Sequence, residues 1–168
     1  MIAVLADYLG ESPVAFALLC AALAGFLVLG WRLSVIDWRT HRLPNRLVLP
    51  SYPAALVLLG TAAGFAGDWH RIIGMLAGAA ILWLGFGLLH LLQRGGLGFG
   101  DVKLAGLLGL YLGFAGWSEV WWGPFIAVVL GGLWSLALVA TRRAGLRSSV
   151  AFGPFLIAGA AVALAVLR

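Results

Sequence analysis

The amino-acid sequence predicts an all-α, polytopic membrane protein with six transmembrane helices and both termini on the non-cytoplasmic side. Three observations predict this class. The chain is 63% hydrophobic and only 10% charged, which is far from the usage of soluble domains. Long uncharged runs divide it, and most of its cations fall in alternate loops between them. Because six crossings use nearly all of the chain, residues 1–168 are expected to form one membrane-embedded domain.

The uncharged runs define the expected helices. They cover residues 13–31, 47–67, 72–93, 104–118, 120–141 and 148–167. A helix needs roughly 20 apolar residues to cross the hydrocarbon core, and only the run 104–118 is clearly short. That run can span if its helix begins near Asp101. Pro50 and Pro53 are expected to kink the second helix or delay its start.

The basic residues orient the chain. Nine of the 11 Lys and Arg residues fall in the segments 32–46, 94–103 and 142–147, so these loops are expected to be cytoplasmic. The protein is therefore predicted to lie in the inner membrane. The cations flank helices, where anionic lipid headgroups are their natural partners, and this argues against binding to nucleic acid. The opposite side holds Asp7, Glu11, Asp68, Arg71, Glu119 and Arg168.

Three pairs of glycines lie one helical turn apart, in the segments GTAAG at 60–64, GMLAG at 74–78 and GLYLG at 109–113. Small residues at this spacing let helix backbones approach closely. We expect all three pairs to be packing faces between helices.

Two acidic residues carry the functional prediction. Asp37 follows the first apolar run, and Asp101 opens the fourth helix directly after four glycines within residues 95–100. Both are expected at the cytoplasmic end of the bundle, where carboxylates are costly unless they serve a purpose. The glycines permit close backbone approach and unusual dihedral angles beside Asp101.

Two neighbouring carboxylates can share one proton, so that one activates a water molecule and the other protonates a scissile carbonyl. This is aspartyl-protease chemistry, and it needs no cofactor and no metal. The alternative from spacing alone is that Asp37 pairs with Arg39 or Arg42 and that Asp101 caps a helix. Cys20 is alone and no two histidines have ligand spacing with an acid, so no metal site is expected.

At these residues the sequence resembles the type IV prepilin peptidases, a family of GxGD membrane aspartyl proteases, in a short form. The family pattern D-x-R-x-x-x-(I/L)-P-N is matched by Asp37, Arg39, Leu43, Pro44 and Asn45. The pattern G-x-G-D-V-K-L is matched by Gly98, Gly100, Asp101, Val102, Lys103 and Leu104. A third feature resembling P-F-G-P-F-L lies at residues 151–156, with Ala151 where proline is usual.

The resemblance implies cleavage of a short basic leader from a prepilin or pseudopilin precursor at the cytoplasmic membrane face. It implies catalytic roles for Asp37 and Asp101 and supporting roles for six of the other matched motif positions, namely Arg39, Pro44, Asn45, Gly98, Gly100 and Lys103. Larger members carry an insertion with paired cysteines and also methylate the new amino terminus. Because this chain has one cysteine, we expect neither methyl transfer nor zinc.

Two other functions compete with this one. A GxGD intramembrane protease would cut other transmembrane substrates with the same two acids. A proton-coupled transporter would relay protons through acids placed deep in its helices, often with a repeat in the two halves, and no repeat is evident here.

Three finer expectations concern single residues. Lys103 lies two residues past Asp101 on a helix, so it is expected to point away and reach lipid headgroups. His41 is expected to be solvated. Asp37 ends a helix and Asp101 begins one, so the helix dipoles predict Asp101 as the base and Asp37 as the acid.

Overall fold

Seven helices make up most of the described chain, so the all-α prediction is confirmed. The computed structural model describes residues 1–93, 97–141 and 151–167. The helices are α1 (Ile2–Glu11), α2 (Pro13–Thr40), α3 (Asn45–Ala66), α4 (Trp69–Leu92), α5 (Phe99–Ala115), α6 (Trp117–Ala140) and α7 (Gly153–Val166). The third basic segment, 142–147, and the start of the last apolar run lie outside the described residues.

Four of these helices, α2, α3, α4 and α6, are long and apolar enough to cross a membrane. The chain is therefore a multi-pass membrane protein. Helix α5 has 17 residues and α7 has 14, which is short for a full crossing. Helix α5 begins at Phe99, as the prediction for a short fourth helix required. Six crossings and the side of each terminus stay predictions.

Helix α1 was not predicted. It is a 10-residue helix, and its acids interrupt any apolar run. Its buried residues Met1, Val4 and Tyr8 recur at helical spacing, so a hydropathy argument that seeks long uniform runs misses it. The next helix begins at Pro13 as expected, and the Ser12 hydroxyl accepts a hydrogen bond from the Ala15 amide at 3.3 Å.

The connection from α2 to α3 is tight. Helix α2 extends nine residues beyond the predicted run, from 31 to 40. Its C-cap is His41, whose φ of 51° lies in the left-handed region. The expected delay of the next helix is wrong, because α3 begins at Asn45 and contains both Pro50 and Pro53. Its first turn is closed by amides that donate to the Pro44 carbonyl, before either proline is reached.

Helix α5 lies at the centre of the bundle and packs against α3, α4, α6 and α7. Every residue from 104 to 114 is buried. Its closest contact is with α4: a Cβ added to Gly109 would lie 2.5 Å from the Gly78 carbonyl oxygen, and one added to Gly113 would overlap the Gly74 carbonyl. Two of the three predicted glycine faces are thus confirmed as the α4–α5 contact.

The third predicted glycine face is wrong. A Cβ added to Gly60 or Gly64 meets no described atom within 4 Å. Glycines one turn apart allow two helices to pack closely, but their spacing does not determine which helix becomes the partner. The close contact of α5 is made with the glycines of α4, and Gly60 and Gly64 of α3 take no part in it.

The end of α5 farthest from Asp101 is held by a polar cluster. Arg71 donates from Nη1 to the carbonyls of Phe114 and Ala115 at 3.0 and 3.3 Å, and from Nε to Asp68 Oδ2 at 2.8 Å. The Tyr8 hydroxyl donates to the same carboxylate oxygen at 3.3 Å. Partial burial alone would raise the pKa of Asp68, but the hydrogen bond and charge of Arg71 hold it below its ordinary value.

Candidate active site

Asp37 and Asp101 line one cavity of about 370 Å³. Three elements form it: the last turn of α2, the loop into α3 and the first turn of α5. Residues far apart in sequence therefore meet at one end of the bundle, as predicted. The lining residues are Asp37, His41, Arg42, Leu43, Asn45, Gly98, Phe99, Gly100, Asp101 and Lys103.

Asp37 is almost completely buried, with 4% of its surface exposed. Its Oδ2 accepts a hydrogen bond of 3.1 Å from the backbone amide of Gly153, the first residue of α7. Within residues 1–93, 97–141 and 151–167 Asp37 forms no salt bridge, so the alternative pairing with Arg39 or Arg42 is wrong. Asp37 is thus a buried carboxyl group that is held by one backbone amide and is not neutralised by a cation, so it can exchange a proton.

Asp101 lies in the first turn of α5 and is partly buried. The alternative that it caps this helix stays open, because the N-cap is Gly98 and the Asp101 carboxyl group accepts a hydrogen bond from the Gly98 backbone amide. The backbone amide of Asp101 donates a hydrogen bond to the Gly98 carbonyl at 3.0 Å, and Asp101 lines the cavity.

The two glycines of the second motif make room for different neighbours. A Cβ added to Gly98 would lie 3.4 Å from Asp101 Oδ2, and one added to Gly100 would lie 3.0 Å from Leu43 Cβ. Gly100 thus lets the two motif segments touch. The expected unusual dihedral angles are absent at both positions, since Gly98 has a φ of −70° and Gly100 is helical. Gly95 and Gly96 lie outside the described residues.

Lys103 joins the two motifs, contrary to expectation. Its Nζ donates to Asn45 Oδ1 at 3.0 Å and lies 4.8 Å from the centre of the Phe99 ring. The expected reach to lipid headgroups is wrong because the start of α3 faces the first turn of α5 and offers both an amide oxygen and an aromatic face. The Tyr52 hydroxyl donates to the Lys103 carbonyl at 2.6 Å and adds a second link between these helices.

Two predicted supporting residues lie outside the cavity. Arg39 is exposed and lines a separate cleft with Ser34, Trp38 and Pro154. Pro44 is the N-cap of α3 and fixes the loop without lining the cavity.

Sequence reasoning gave no site role to several residues that the structure brings in. Arg42 and Phe99 lie between matched motif positions and Leu43 is a matched position itself, so the place of these three lining residues in the motif segments was the available signal. His41 is exposed as expected and also lines the cavity. Gly153 was quoted only as part of the third motif, and nothing in its spacing linked it to Asp37.

The helix-dipole argument for the acid and base roles considered two helix ends near the carboxyl groups, those of α2 and α5. The structure places a third end, that of α7, beside Asp37. Asp37 lies in the last turn of α2 and also accepts a hydrogen bond from the N-terminal end of α7. The α7 end favours an ionised Asp37, against the α2 end. The assignment of base and acid therefore stays a prediction.

Metal chemistry has no assembled ligand set in the part of the chain that the structure describes. No three His, Cys, Asp or Glu side chains come together there. The described site instead offers two carboxylates, an amide donor and two cations, Arg42 and Lys103, of which Lys103 is held by Asn45.

A family model described as the type IV leader peptidase family matches residues 21–166, which include both acids and the start of α7. The chain belongs to the type IV leader peptidase family. The match confirms the resemblance drawn from the motifs.

Individual relatives agree with this membership. The prepilin leader peptidase/N-methyltransferase of Burkholderia pseudomallei (strain K96243) is 40% identical over 161 residues, covering 92% of this chain and 47% of the relative. Proteins of the same name from Escherichia coli (strain K12) and Dickeya chrysanthemi are 32% and 33% identical, covering 80% and 79% of this chain. These alignments cover 58% and 46% of those relatives, so the chain spans about half the length of the curated relatives it matches. No solved structure matches the chain significantly.

Proposed function

We propose that this family member is a membrane aspartyl endopeptidase that removes the short basic leader from type IV prepilin-like precursors. Asp37 and Asp101 are its catalytic pair. The observation that carries the proposal is the shared cavity, in which two carboxylates from different helices lie together without a salt bridge to any described residue. The names of the relatives supply the substrate class.

The chemistry follows from one proton shared by two carboxyl groups. The ionised carboxylate takes a proton from a water molecule, whose oxygen attacks the scissile carbonyl carbon, while the protonated partner gives its proton to the carbonyl oxygen. Collapse of the tetrahedral intermediate breaks the C–N bond, and the leaving amine takes up a proton. The Gly153 amide holds one oxygen of Asp37 throughout.

The position of the cavity suits a substrate with a polar leader and an apolar helix. The cavity lies at one end of the apolar helices, beside the loop 41–44 and the start of α5. A precursor whose apolar helix lies in the bilayer presents the junction with its leader at this depth. The 168 residues contain one cysteine, so we expect them to perform cleavage without methyl transfer.

The test is co-expression with a candidate prepilin, comparing wild type with Asp101→Ala. We expect a shortened precursor with the wild type and full-length precursor with the variant. Asp7→Ala, which removes an exposed acid of α1, is the matched control and keeps cleavage. An intact precursor with wild type contradicts the proposal, and equal cutting of unrelated membrane proteins indicates a broader GxGD protease.

A second test concerns location, because the proposal places the cavity at the cytoplasmic face of the inner membrane. In a Cys20→Ala background, cysteines are introduced at Thr40 and Gly67, both exposed and at opposite ends of the bundle. We expect Gly67→Cys to react with an impermeant label from outside and Thr40→Cys to react only after the membrane is opened. Labelling of Thr40→Cys from outside overturns the orientation.

A further inference from the structure

The hydrogen bond to the carboxyl group of the buried Asp37 comes from a segment that the proposed chemistry does not otherwise use. The Gly153 amide donates to Asp37 Oδ2 at 3.1 Å, and both residues are buried. A Cβ added to Gly153 would lie 2.7 Å from that oxygen and 3.2 Å from Cγ. Any side chain at this position therefore displaces the carboxyl group.

The turn that presents this amide is anchored from two sides. Phe152 is the N-cap of α7, and its carbonyl accepts the amides of Phe155 and Leu156 at 3.1 Å each. The ring of Phe152 lies 6.4 Å from that of Phe86 on α4, and a Cβ on Gly131 of α6 would lie 3.3 Å from it. Because α4 and α6 fix this ring, the Gly153 amide has a fixed direction.

The local sequence fits this presentation. The first amides of a helix have no partner within it, so the Gly153 N–H is free to donate outward. Pro154 follows within the first turn and sets a helical φ without a competing N–H. The helix N-terminus adds partial positive charge beside the carboxylate.

We propose that Gly153 is a positioning residue of the active site: its backbone amide orients the Asp37 carboxyl group so that one oxygen is held and the other faces the cavity shared with Asp101. This inference rests on the proposed function for its catalytic consequence. The contact itself does not depend on any substrate. Glycine is required because the space of a Cβ is occupied by the carboxyl group it positions.

The first experiment compares cleavage by Gly153→Ala with two glycine controls. We expect Gly153→Ala to lower kcat/KM on the order of 10²-fold, as for a small misplacement of a reacting group. It also moves the pH–rate profile to higher pH, because a lost donor disfavours the carboxylate. Gly132→Ala, with open space around it, stays at wild-type activity.

Gly159→Ala is the control for overpacking on α7, because it disturbs the packing of the same helix without touching the Asp37 carboxyl group. Its Cβ would lie 2.5 Å from the Gly123 carbonyl oxygen, far along α7 from Asp37. We expect this variant to unfold at lower temperature while the pH–rate profile keeps its wild-type position. The inference is overturned if folded Gly153→Ala protein has a pH–rate profile at the same pH as the wild type.

The second experiment needs neither substrate nor a change at Gly153. Labelling carbonyl carbons of Phe and amide nitrogens of Gly restricts a carbonyl–amide NMR spectrum to Gly87, Gly100 and Gly153, each of which follows a phenylalanine. We expect the Gly153 amide proton to shift with pH in wild type and to stay fixed in Asp37→Asn, while Gly87 is unaffected in both.

The two failures are distinguishable. If the Gly153 resonance is identical in wild type and Asp37→Asn across the titration, the positioning contact is wrong whether or not the protein cleaves a precursor. If wild type cleaves no precursor but the resonance follows Asp37, the contact stands and the proposed function is wrong.

Discussion

The two ends of the helix bundle treat their acidic residues in opposite ways. At one end Asp68 accepts hydrogen bonds from Arg71 and Tyr8, and the guanidinium closes the end of α5. At the other end Asp37 and Asp101 line an open cavity, and neither forms a salt bridge within the described ranges. The comparison teaches that the charge of Asp68 is neutralised where it supports the fold, whereas the charges of Asp37 and Asp101 are left without a salt bridge where chemistry is proposed.

Helix α5 connects the two ends. Its last carbonyls are held by Arg71, its middle lies against the glycines of α4, and its first turn carries Asp101. Asp101 can meet Asp37 only if α5 keeps its position along the bundle axis. The closed end therefore supports the open one through a rigid, buried helix.

The largest effect is expected from the open end. Asp37→Asn and Asp101→Asn should each lower leader cleavage by roughly 10²–10⁴-fold, since an amide keeps the shape but cannot exchange the proton. The double variant should be no worse than the poorer single variant, because the two groups act as a unit. Quantified cleavage of one precursor by purified variants measures this, and additive losses would show two independent roles.

The middle of α5 should show a smaller effect, on stability first. Gly113→Ala places a Cβ against the Gly74 carbonyl, and overpacking of this kind costs about 1–3 kcal/mol. Thermal unfolding in detergent checks it, with Gly64→Ala as the matched control in open space. Equal stability of the two variants would mean that α4 and α5 are not in close contact.

The closed end should show the smallest effect, of about 1 kcal/mol for Arg71→Leu. Because the pKa of Asp68 is lowered in the folded protein, its contribution to stability is present above the ordinary carboxyl pKa and is lost as the pH falls through the lowered value. Unfolding temperature measured between neutral and acidic pH should fall in wild type, and less so in Arg71→Leu. If the unfolding temperatures of wild type and Arg71→Leu fall in parallel with pH, Asp68 does not contribute to stability through Arg71.

Much of this arrangement followed from local sequence. Apolar runs located the main helices, and the spacing of acids, glycines and prolines located both catalytic candidates, because these signals lie within one segment each. The first turn of α5 beginning near Asp101 was predicted for this reason and is confirmed.

Contacts between distant segments could not be predicted in this way. The hydrogen bond from Gly153 to Asp37 and the link from Lys103 to Asn45 depend on how α5 and α7 are placed beside α2 and α3. Helix α1 was missed because burial of three spaced residues leaves no apolar run. Glycine spacing likewise identified a packing face but did not select its partner.

The most direct test of the contrast between the two ends is a paired measurement on Asp101→Asn and Asp68→Asn, prepared alike and assayed for both precursor cleavage and thermal unfolding. The account predicts a crossed result: Asp101→Asn unfolds like wild type and leaves the precursor intact, while Asp68→Asn unfolds at lower temperature and still cleaves it. Cleavage by Asp101→Asn at the wild-type rate, or loss of cleavage in an Asp68→Asn protein of unchanged stability, would contradict it.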